Sequence, residues 1–388
     1  MLNRRPAWAE IDLDAVAANV RALVATAAPA AVCAVVKADG YGHGAVPVAE
    51  AALAAGASWL GVAMSAEAVP LRAAGIDAPV LLLSEPAPAE LDEVVALGLH
   101  PTVYTRQGID SVADAAARAG APPVGVHLKI DTGMHRVGAE PAAAPALAAV
   151  VLGRPELVLE GVWTHCAVAD EPENPFTSRQ AERFEAVLAQ LRSAGVQPAL
   201  VHAANSAATL DHPRLRHDLV RCGITLYGLD PSPALHGRIE LRPALSLRAR
   251  VSLVKVVPAG DGVSYGLRYR TTTDSVVATV PLGYADGVPR RLSEVGGEAL
   301  VGGRRRPLAG TVTMDHLMVD CGPAGDPGAE AVCRGDEVVL LGEQGGERIG
   351  AEEWAARLDT IAYEVVCAIS WRVPRRYRRS AGTGAGHG

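Results

Sequence analysis

The chain has 388 residues, of which 49% are apolar, 20% are charged and 4% are aromatic. These fractions exclude a disordered or collagen-like chain, and the length is typical of two domains with ample material for a buried core. The formal net charge of −7 argues against nucleic acid or an anionic membrane as the main partner. The longest apolar stretch, residues 141–153, is interrupted by Pro145 and is too short to cross a bilayer. Acidic residues follow Arg4 and Arg5 directly, so no signal peptide is predicted and the cytoplasm is the expected location.

The six cysteines are scattered along the chain, with no Cys-x-x-Cys pair and no cysteine–histidine cluster at metal-ligand spacing. Several lie in apolar runs, where a reduced, buried thiol is expected. We therefore predict neither a disulfide framework nor a metal site.

From about residue 31 to residue 228, short β-prone runs alternate with longer helical patterns, the signature of a buried parallel sheet. Eight such units in about 200 residues favour a closed (β/α)₈ barrel of the TIM type over an open sheet. The predicted strands are 31–36, 59–63, 79–84, 101–104, 124–130, 157–165, 199–203 and 219–227, and helical patterns between them include 43–55, 65–74, 106–119 and 176–194.

After Pro231 the pattern changes to Val-, Leu- and Thr-rich segments separated by Gly, Pro and Asp. The strands predicted there are 245–257, 275–282, 298–301, 308–313, 316–320 and 337–342. This texture predicts a smaller, mostly antiparallel β domain, with a helix only at 351–358. We expect the barrel to span residues 8–235 and the β domain residues 236–378, with residues 1–7 as a candidate further part of the β domain. Residues 231–243 would be the linker and residues 379–388, basic and then Gly-rich, a disordered tail.

In a barrel of this kind the working residues lie at the C-terminal ends of the strands and in the loops that follow. The polar residues of this chain gather at those positions. They are Lys37 after the first strand, Lys129 and Arg136 at and after the fifth, His165 after the sixth, Asn205 and Ser206 after the seventh, and Arg221 in the eighth. Gly223 and Ile224, which follow Arg221, could contribute backbone N–H groups at the same end.

Each of these residues also has an ordinary structural interpretation. Lys37 could be a Schiff-base lysine beside a desolvated wall, or a lysine that extends out of the barrel into water. Arg136 could bind a carboxylate by two hydrogen bonds or form a surface ion pair with Asp131. His165 could relay a proton or be a buried core histidine. Arg221, inside an apolar strand, needs an acceptor, and a distant carboxylate could supply one.

Nine segments together, in order and over nearly the whole chain, resemble the alanine racemase family. The family consists of pyridoxal-phosphate (PLP) enzymes with an N-terminal barrel and a C-terminal β domain. The matching segments are AVVKADGYGHG (34–44), LKIDTGMHRVG (128–138), WTH (163–165), HAANSAA (202–208), VRCGITLYG (220–228), VSYG (263–266), PLGYADG (281–287), TMDHLMVD (313–320) and TIAYEV (360–365).

The resemblance implies a role for each matching residue. Lys37 would form the internal aldimine with PLP, and Lys129 would be open to carbamylation. His165 would face the pyridine ring, and Arg221 would lie at its nitrogen. Arg136 and the backbone of Met314 would bind the substrate carboxylate. The phosphate would be held by Tyr41, Ser206, Gly223, Ile224 and Tyr363, with Asn205 beside it.

The same resemblance implies a homodimer in which Tyr265 reaches the active site of the other subunit. Racemisation needs one acid–base group on each face of a planar intermediate, and Lys37 and Tyr265 would be that pair. Lys37 would take the proton of D-alanine and Tyr265 that of L-alanine. The product would supply D-alanine for peptidoglycan.

Three other hypotheses stay open at this point. A PLP decarboxylase with the same domain plan would need a Glu-rich partner for the pyridine nitrogen and a catalytic cysteine in the β domain. A PLP carrier would leave the β domain without a purpose. A racemase of broad specificity would differ only in the size of its pocket.

Overall fold

The computed structural model describes residues 6–380 of the chain. They form two compact units: one comprises Ala15–Arg242, and the other comprises Met1–Asp14 and Pro243–Gly388 within the described range. The strands are β1 (Ala7–Asp12), β2 (Ala31–Val35), β3 (Trp59–Val62), β4 (Val80–Leu82), β5 (His100–Val103), β6 (Val124–Lys129), β7 (Leu157–Trp163), β8 (Leu200–His202), β9 (Leu219–Cys222), β10 (Leu245–Arg250), β11 (Leu253–Val257), β12 (Gly262–Val263), β13 (Tyr269–Arg270), β14 (Ser275–Val280), β15 (Glu298–Val301), β16 (Arg304–Pro307), β17 (Leu317–Pro323), β18 (Glu337–Gln344), β19 (Glu347–Ile349) and β20 (Arg375–Arg378).

The helices lie mainly in the first unit. They are α1 (Leu13–Ala27), α2 (Lys37–Tyr41), α3 (Ala45–Ala54), α4 (Ser65–Ala73), α5 (Leu91–Ala96), α6 (Arg106–Ala119), α7 (Ala144–Leu152), α8 (Phe176–Ser193), α9 (Ser206–Asp211), α10 (Pro327–Glu330), α11 (Ala351–Leu358) and α12 (Ala362–Cys367). None of the helices in the described part of the chain is long and apolar enough to cross a membrane.

The first unit is the predicted parallel barrel. Its eight strands follow the order β8-β7-β6-β5-β4-β3-β2-β9. The two end strands also meet, because the Arg221 N–H donates to the Ala204 carbonyl (2.9 Å) and the Asp218 N–H donates to the Val201 carbonyl (3.0 Å). The predicted fold class is confirmed, and each of the eight predicted strands overlaps an observed one.

Local sequence signals explain where the barrel elements begin and end. Thr105 caps α6 by accepting a hydrogen bond from the Gly108 N–H, and Gly120 ends the helix in the left-handed conformation with φ 59°. Strand β9 is shorter than the predicted 219–227. Gly223 leaves the extended conformation there, and residues Ile224–Tyr227 form a 3₁₀ turn.

The second unit contains a seven-stranded sheet with the order β16-β15-β18-β10-β1-β20, in which β19 also pairs with β18. A three-stranded sheet β11-β14-β17 and a two-stranded ribbon β12-β13 complete it. The predicted strand at 308–313 is wrong, since only an isolated bridge joins Leu308 to Val319. The predicted helix at 351–358 is confirmed as α11.

The barrel unit begins later than the predicted residue 8, because strand β1 belongs to the β unit. This strand pairs antiparallel with β10 and parallel with β20. Ala7, Ala9 and Ile11 are fully buried on one face, the alternation expected of a sheet with one covered side. The division before Pro243 also lies later than the predicted 235/236 boundary. Of the predicted tail 379–388, residues 381–388 lie outside the described range, as do residues 1–5.

A buried asparagine holds the last segment of the barrel unit against its first helix. The Asn19 amide donates to the carbonyls of Leu226 (3.0 Å) and Arg242 (2.9 Å). Its oxygen accepts from the Arg242 N–H (2.8 Å).

We predict that Asn19→Ala lowers the stability of the barrel unit, because it leaves three backbone groups without their partner. The expected loss is about 3 kcal/mol, which corresponds to a fall in melting temperature of about 6–12 °C for a unit of this size. Thermal unfolding followed by circular dichroism measures it. Gln107→Ala, on the exposed side of α6, is the control and should melt within about 1 °C of the parent. Equal melting temperatures for both variants would contradict the assignment.

Candidate active site

The barrel brings the predicted polar residues to one end. Lys37 follows β2, Lys129 is the last residue of β6, His165 follows β7, Ser206 follows β8 and Gly223 follows β9. The carboxyl ends of parallel barrel strands lie on the same side, where the active sites of such barrels are found. The residues of the first unit therefore form one candidate site.

The segment after Lys37 runs through consecutive left-handed residues. Ala38, Asp39, Gly40, Tyr41 and Gly42 all have positive φ, between 51° and 78°. Non-glycine residues in this region cost about 1 kcal/mol each or more, so surrounding contacts must hold them. Strain of this kind, directly after a lysine that follows a barrel strand, is typical of functional sites.

Two carboxylates supply those contacts. Glu67 accepts hydrogen bonds from the N–H groups of Ala38 (2.7 Å) and Ala63 (2.7 Å). Asp39 accepts from the Ala45 N–H (2.8 Å) at the start of α3. Glu67 was not among the predicted site residues, because nothing in its sequence surroundings marks it as a partner of residue 38.

Arg221 is the most constrained group of the site. Its guanidinium is 3% exposed. It donates to the carbonyls of Thr164 (2.8 Å) and Ala203 (3.0 Å) and to Nδ1 of His202 (2.8 Å) and His165 (3.1 Å). Among the described residues no carboxylate pairs with it, so the ion pair left open by the sequence is absent there. Burial lowers the pKa of Arg221 to about 10.

Trp163, the last residue of β7, packs against two of the site's cations. Its ring centroid lies 4.3 Å from the guanidinium carbon of Arg221 and 4.2 Å from Nζ of Lys129. Cation–π contacts of this kind partly replace water around a buried charge. Its indole ring also stacks on His202, with centroids 5.3 Å apart.

The positive charges of the site also lower the pKa values of Lys129 and His165. Burial, followed by the charges of Arg221, Arg136 and Lys37, lowers the pKa of Lys129 to about 7, with Asp131 opposing. Burial and the same group of cations hold the pKa of His165 well below its usual range. At neutral pH His165 is therefore an uncharged imidazole, and Lys129 is part amine and part ammonium.

Arg136 is exposed and has no ion pair among residues 6–380. Asp131 does not form an ion pair with it. Its carboxylate accepts from the N–H groups of Gly133 (2.8 Å) and His135 (3.1 Å) and lies 3.8 Å from the His135 ring. The guanidinium is thus left for an external anion, the first of the two readings of Arg136 in the sequence.

The predicted phosphate-binding residues of the barrel lie together. The Ser206 hydroxyl accepts from the Gly223 N–H (2.9 Å) and from Thr225 (3.1 Å). A Cβ at position 223 would lie 2.5 Å from the Tyr41 hydroxyl, so only glycine leaves this space open. Ile224 is fully buried in the same turn. Asn205 caps α9 by accepting a hydrogen bond from the Ala208 N–H (3.0 Å).

Three further predicted residues lie in the second unit. Tyr265 begins a short turn, Tyr265–Leu267, and is 74% exposed. Met314 is 52% exposed, and its carbonyl accepts from the Ala285 N–H (3.1 Å). Tyr363 lies in α12 and is half-buried.

The structure also assembles groups that the sequence did not single out. His100, His127 and Glu160 come from β5, β6 and β7, and one potential ligand atom of each lies within 4.8 Å of the others. His202 connects this group to Arg221. His100, His127 and Glu160 are 27 to 60 positions apart in the sequence, so local spacing gave no indication of their contact.

Comparison with known proteins agrees with this geometry. The family models "Alanine racemase, N-terminal domain" and "Alanine racemase, C-terminal domain" match residues 11–231 and 244–377. An alanine racemase from Symbiobacterium thermophilum is 49% identical over 373 residues, which cover 96% of this chain and 97% of that protein.

Solved structures of alanine racemases are also similar to this chain in sequence and in fold. The crystal structure of alanine racemase from D-cycloserine-producing Streptomyces lavendulae is 44% identical and has a TM-score of 0.90, covering 97% of this chain and 98% of that one. The alanine racemase from Bacillus anthracis with bound L-Ala-P is 41% identical and has a TM-score of 0.89, covering 97% and 95%. The chain belongs to the alanine racemase family.

Proposed function

We propose that this chain interconverts L-alanine and D-alanine as a homodimer with PLP as its cofactor, by a two-base mechanism. The observation that carries the proposal is the buried, carboxylate-free Arg221 at the same barrel end as Lys37. A guanidinium in that place can donate to a ring nitrogen but cannot protonate it, which is unusual among PLP sites and favours rapid return of a proton over side reactions.

The residues of the barrel end fit PLP. A phosphate needs donors and space, and Ser206, the Gly223 N–H and the Tyr41 hydroxyl surround a space that a Cβ would fill. A ring nitrogen without a proton needs a donor, and Arg221 has only donors. An amine-linked cofactor needs a lysine, and the chain has only three, Lys37, Lys129 and Lys255.

When bound, PLP withdraws electrons from the α-carbon and makes its proton removable. The chain's own residues then do the rest. Lys37 would hold the cofactor through Nζ and would take or return the proton on the D face at the same atom. Tyr265 of the partner subunit would do so on the L face at its hydroxyl. Arg136 and the Met314 backbone hold the substrate carboxylate.

The remaining roles follow the family resemblance. His165 would lie against the pyridine ring, and Ile224 and Tyr363 would contribute to the phosphate site with Asn205 beside it. D-alanine production for peptidoglycan is the role we propose, and the cytoplasm stays a prediction for its location.

The proposal is tested by incubating the PLP-loaded protein with L-alanine in D₂O while chirality and α-deuteration are followed together. We expect D-alanine with deuterium at the α-carbon. Lys37→Ala should abolish both signals, because no amine then holds the cofactor, whereas Lys255→Ala, an exposed lysine of β11, should keep them. Deuterium exchange without inversion would remove Tyr265 from its role, and neither signal with PLP bound would overturn the function.

Shared active sites make a second prediction. Lys37→Ala and Tyr265→Phe homodimers should each be almost inactive. Mixing them with subunit exchange should restore about a quarter of the parental activity. About half of the dimers are then mixed, and one of the two sites in each mixed dimer carries both intact groups. Differently tagged subunits, recovered by tandem purification, measure this. A purified mixed dimer without activity would show that Tyr265 serves its own subunit's site or none.

Lys129 provides a third prediction. With a pKa of about 7, its neutral amine can attack CO₂, forming an N–C bond and releasing one proton to give a carbamate. Because the amine is neutral above that pKa, the reactive fraction is about tenfold larger at pH 8 than at pH 6. We expect a ¹³C-carbamate NMR signal with ¹³C-bicarbonate that grows between these values. Lys129→Gln should lack the signal and Lys255→Ala should retain it. A signal independent of pH would contradict the lowered pKa.

A further inference from the structure

A continuous line of polar side chains leads away from Arg221 across the barrel strands. Arg221 donates to Nδ1 of His202 (2.8 Å), and Nε2 of His202 lies 2.9 Å from Nδ1 of His127. Nε2 of His127 lies 3.5 Å from Oε2 of Glu160, and the same oxygen lies 2.5 Å from Nδ1 of His100. Both His202 and His127 are fully buried.

The chemistry at one end determines where every proton lies. A guanidinium only donates, so Nδ1 of His202 must accept. The pKa values of His202 and His127 are both lowered by burial, so each ring is neutral and carries a single proton. His202 therefore holds its proton at Nε2 and donates to His127, which holds its own at Nε2, facing Glu160.

The other end of the line is a carboxylate that is charged at neutral pH. Burial opposes its ionisation, but the hydrogen bond from His100 (2.5 Å) and the nearby Nε2 of His127 (3.5 Å) outweigh that effect and lower the pKa of Glu160 to about 2. The line thus runs from a buried cation without a direct counter-ion to an anion, with two imidazole dipoles aligned between them. Such alignment strengthens each bond in a medium of low dielectric constant.

Two glycines make the room for this arrangement. A Cβ at Gly161 would lie 2.1 Å from Nδ1 of His127, and a Cβ at Gly125 would lie 2.3 Å from Oε2 of Glu160. Neither glycine has a positive φ. Their absence of a side chain is therefore required by the neighbouring polar groups, not by the backbone.

A divalent cation on His100, His127 and Glu160 is the competing interpretation of the same cluster. A metal would need the lone pair of Nε2 of His127, which moves the ring proton to Nδ1. His202 would then have to carry its proton at Nδ1, and that proton would face the Arg221 N–H. Two donors would meet in a buried site, so the Arg221 end of the line opposes a metal at the Glu160 end.

We propose that Glu160 is the remote counter-charge of Arg221 and acts through His127 and His202 as a positioning residue for the site. The inference rests on the proposed function, since it concerns the donor that Arg221 would offer to the cofactor nitrogen. Loss of the Glu160 charge would leave the two imidazole tautomers unfixed and Arg221 among neutral partners alone. The donor strength and orientation of Arg221 would change, while the groups that bind substrate would not.

Imidazole NMR of ¹⁵N-histidine-labelled protein tests the line directly, both before and after PLP loading. We expect His202 and His127 as neutral Nε2–H tautomers in the parent protein, assigned with His127→Gln and His202→Gln spectra. An Nδ1–H tautomer at either ring would overturn the proposal, and this reading needs no variant to fold. Equimolar Zn²⁺ should leave the His127 signals unchanged; coordination at its Nε2 would also overturn it.

Kinetics of charge-changing variants provide the second test. Glu160→Gln should mix the His127 and His202 tautomers. It should also lower kcat by about tenfold, the equivalent of one pKa unit at Arg221, with KM for alanine within about twofold because no substrate contact is lost. Glu160→Asp keeps the charge and should recover most of the lost kcat. Glu182→Gln, an exposed carboxylate of α8, is the matched control and should behave as the parent.

The outcomes separate the two proposals. If the parent protein does not racemise alanine, the proposed function fails, whatever the tautomers are. If the parent is active but Glu160→Gln has unchanged tautomers and unchanged kcat, Glu160 has no influence on Arg221. A fall in kcat that Glu160→Asp does not rescue would point to packing instead of charge and would likewise overturn the inference.

Discussion

The site depends on the burial of one guanidinium. Moving a charge of this kind out of water costs several kcal/mol unless its donors are satisfied. In this barrel two carbonyls and two imidazoles satisfy Arg221, and the Trp163 ring covers one of its faces. This single requirement accounts for much of the surrounding sequence. It makes His165 and His202 acceptors and brings Trp163 against the guanidinium. After burial, the charge of Arg221 is the next cause of the lowered pKa values of Lys129 and His165.

The absence of a carboxylate beside Arg221 in the described residues has a chemical meaning. A carboxylate there would neutralise the cation, but it would also compete with a ligand's acceptor atom for the same N–H groups. Neutral acceptors leave the charge in place. The site thus keeps Arg221 and Arg136 charged, with a partly protonated Lys129 beside them, which suits anionic ligands.

Much of the fold was predictable because the barrel strands are short, apolar and separated by strong helical patterns. The same signal fails for β1 and β20, because they lie outside the alternating pattern and find their partners more than 200 residues away. Lys37 and Ser206 could be placed at the strand ends from position alone. The contacts of Glu67, His127 and Glu160 could not, because a side chain's partner across neighbouring strands depends on register and on the space that Gly125 and Gly161 leave.

The pairing of β1 with β10 and β20 has a consequence for how the protein is made. The barrel is inserted between the first strand of the β unit and all the others, so more than 200 residues must leave the ribosome before β1 meets a neighbour. At about 5–20 residues per second, this wait lasts on the order of ten seconds or longer. During that interval the barrel can already fold, while Trp8 and Ile11 wait uncovered. Chaperones that shield nascent chains would therefore be expected to act first on the segment that contains β1.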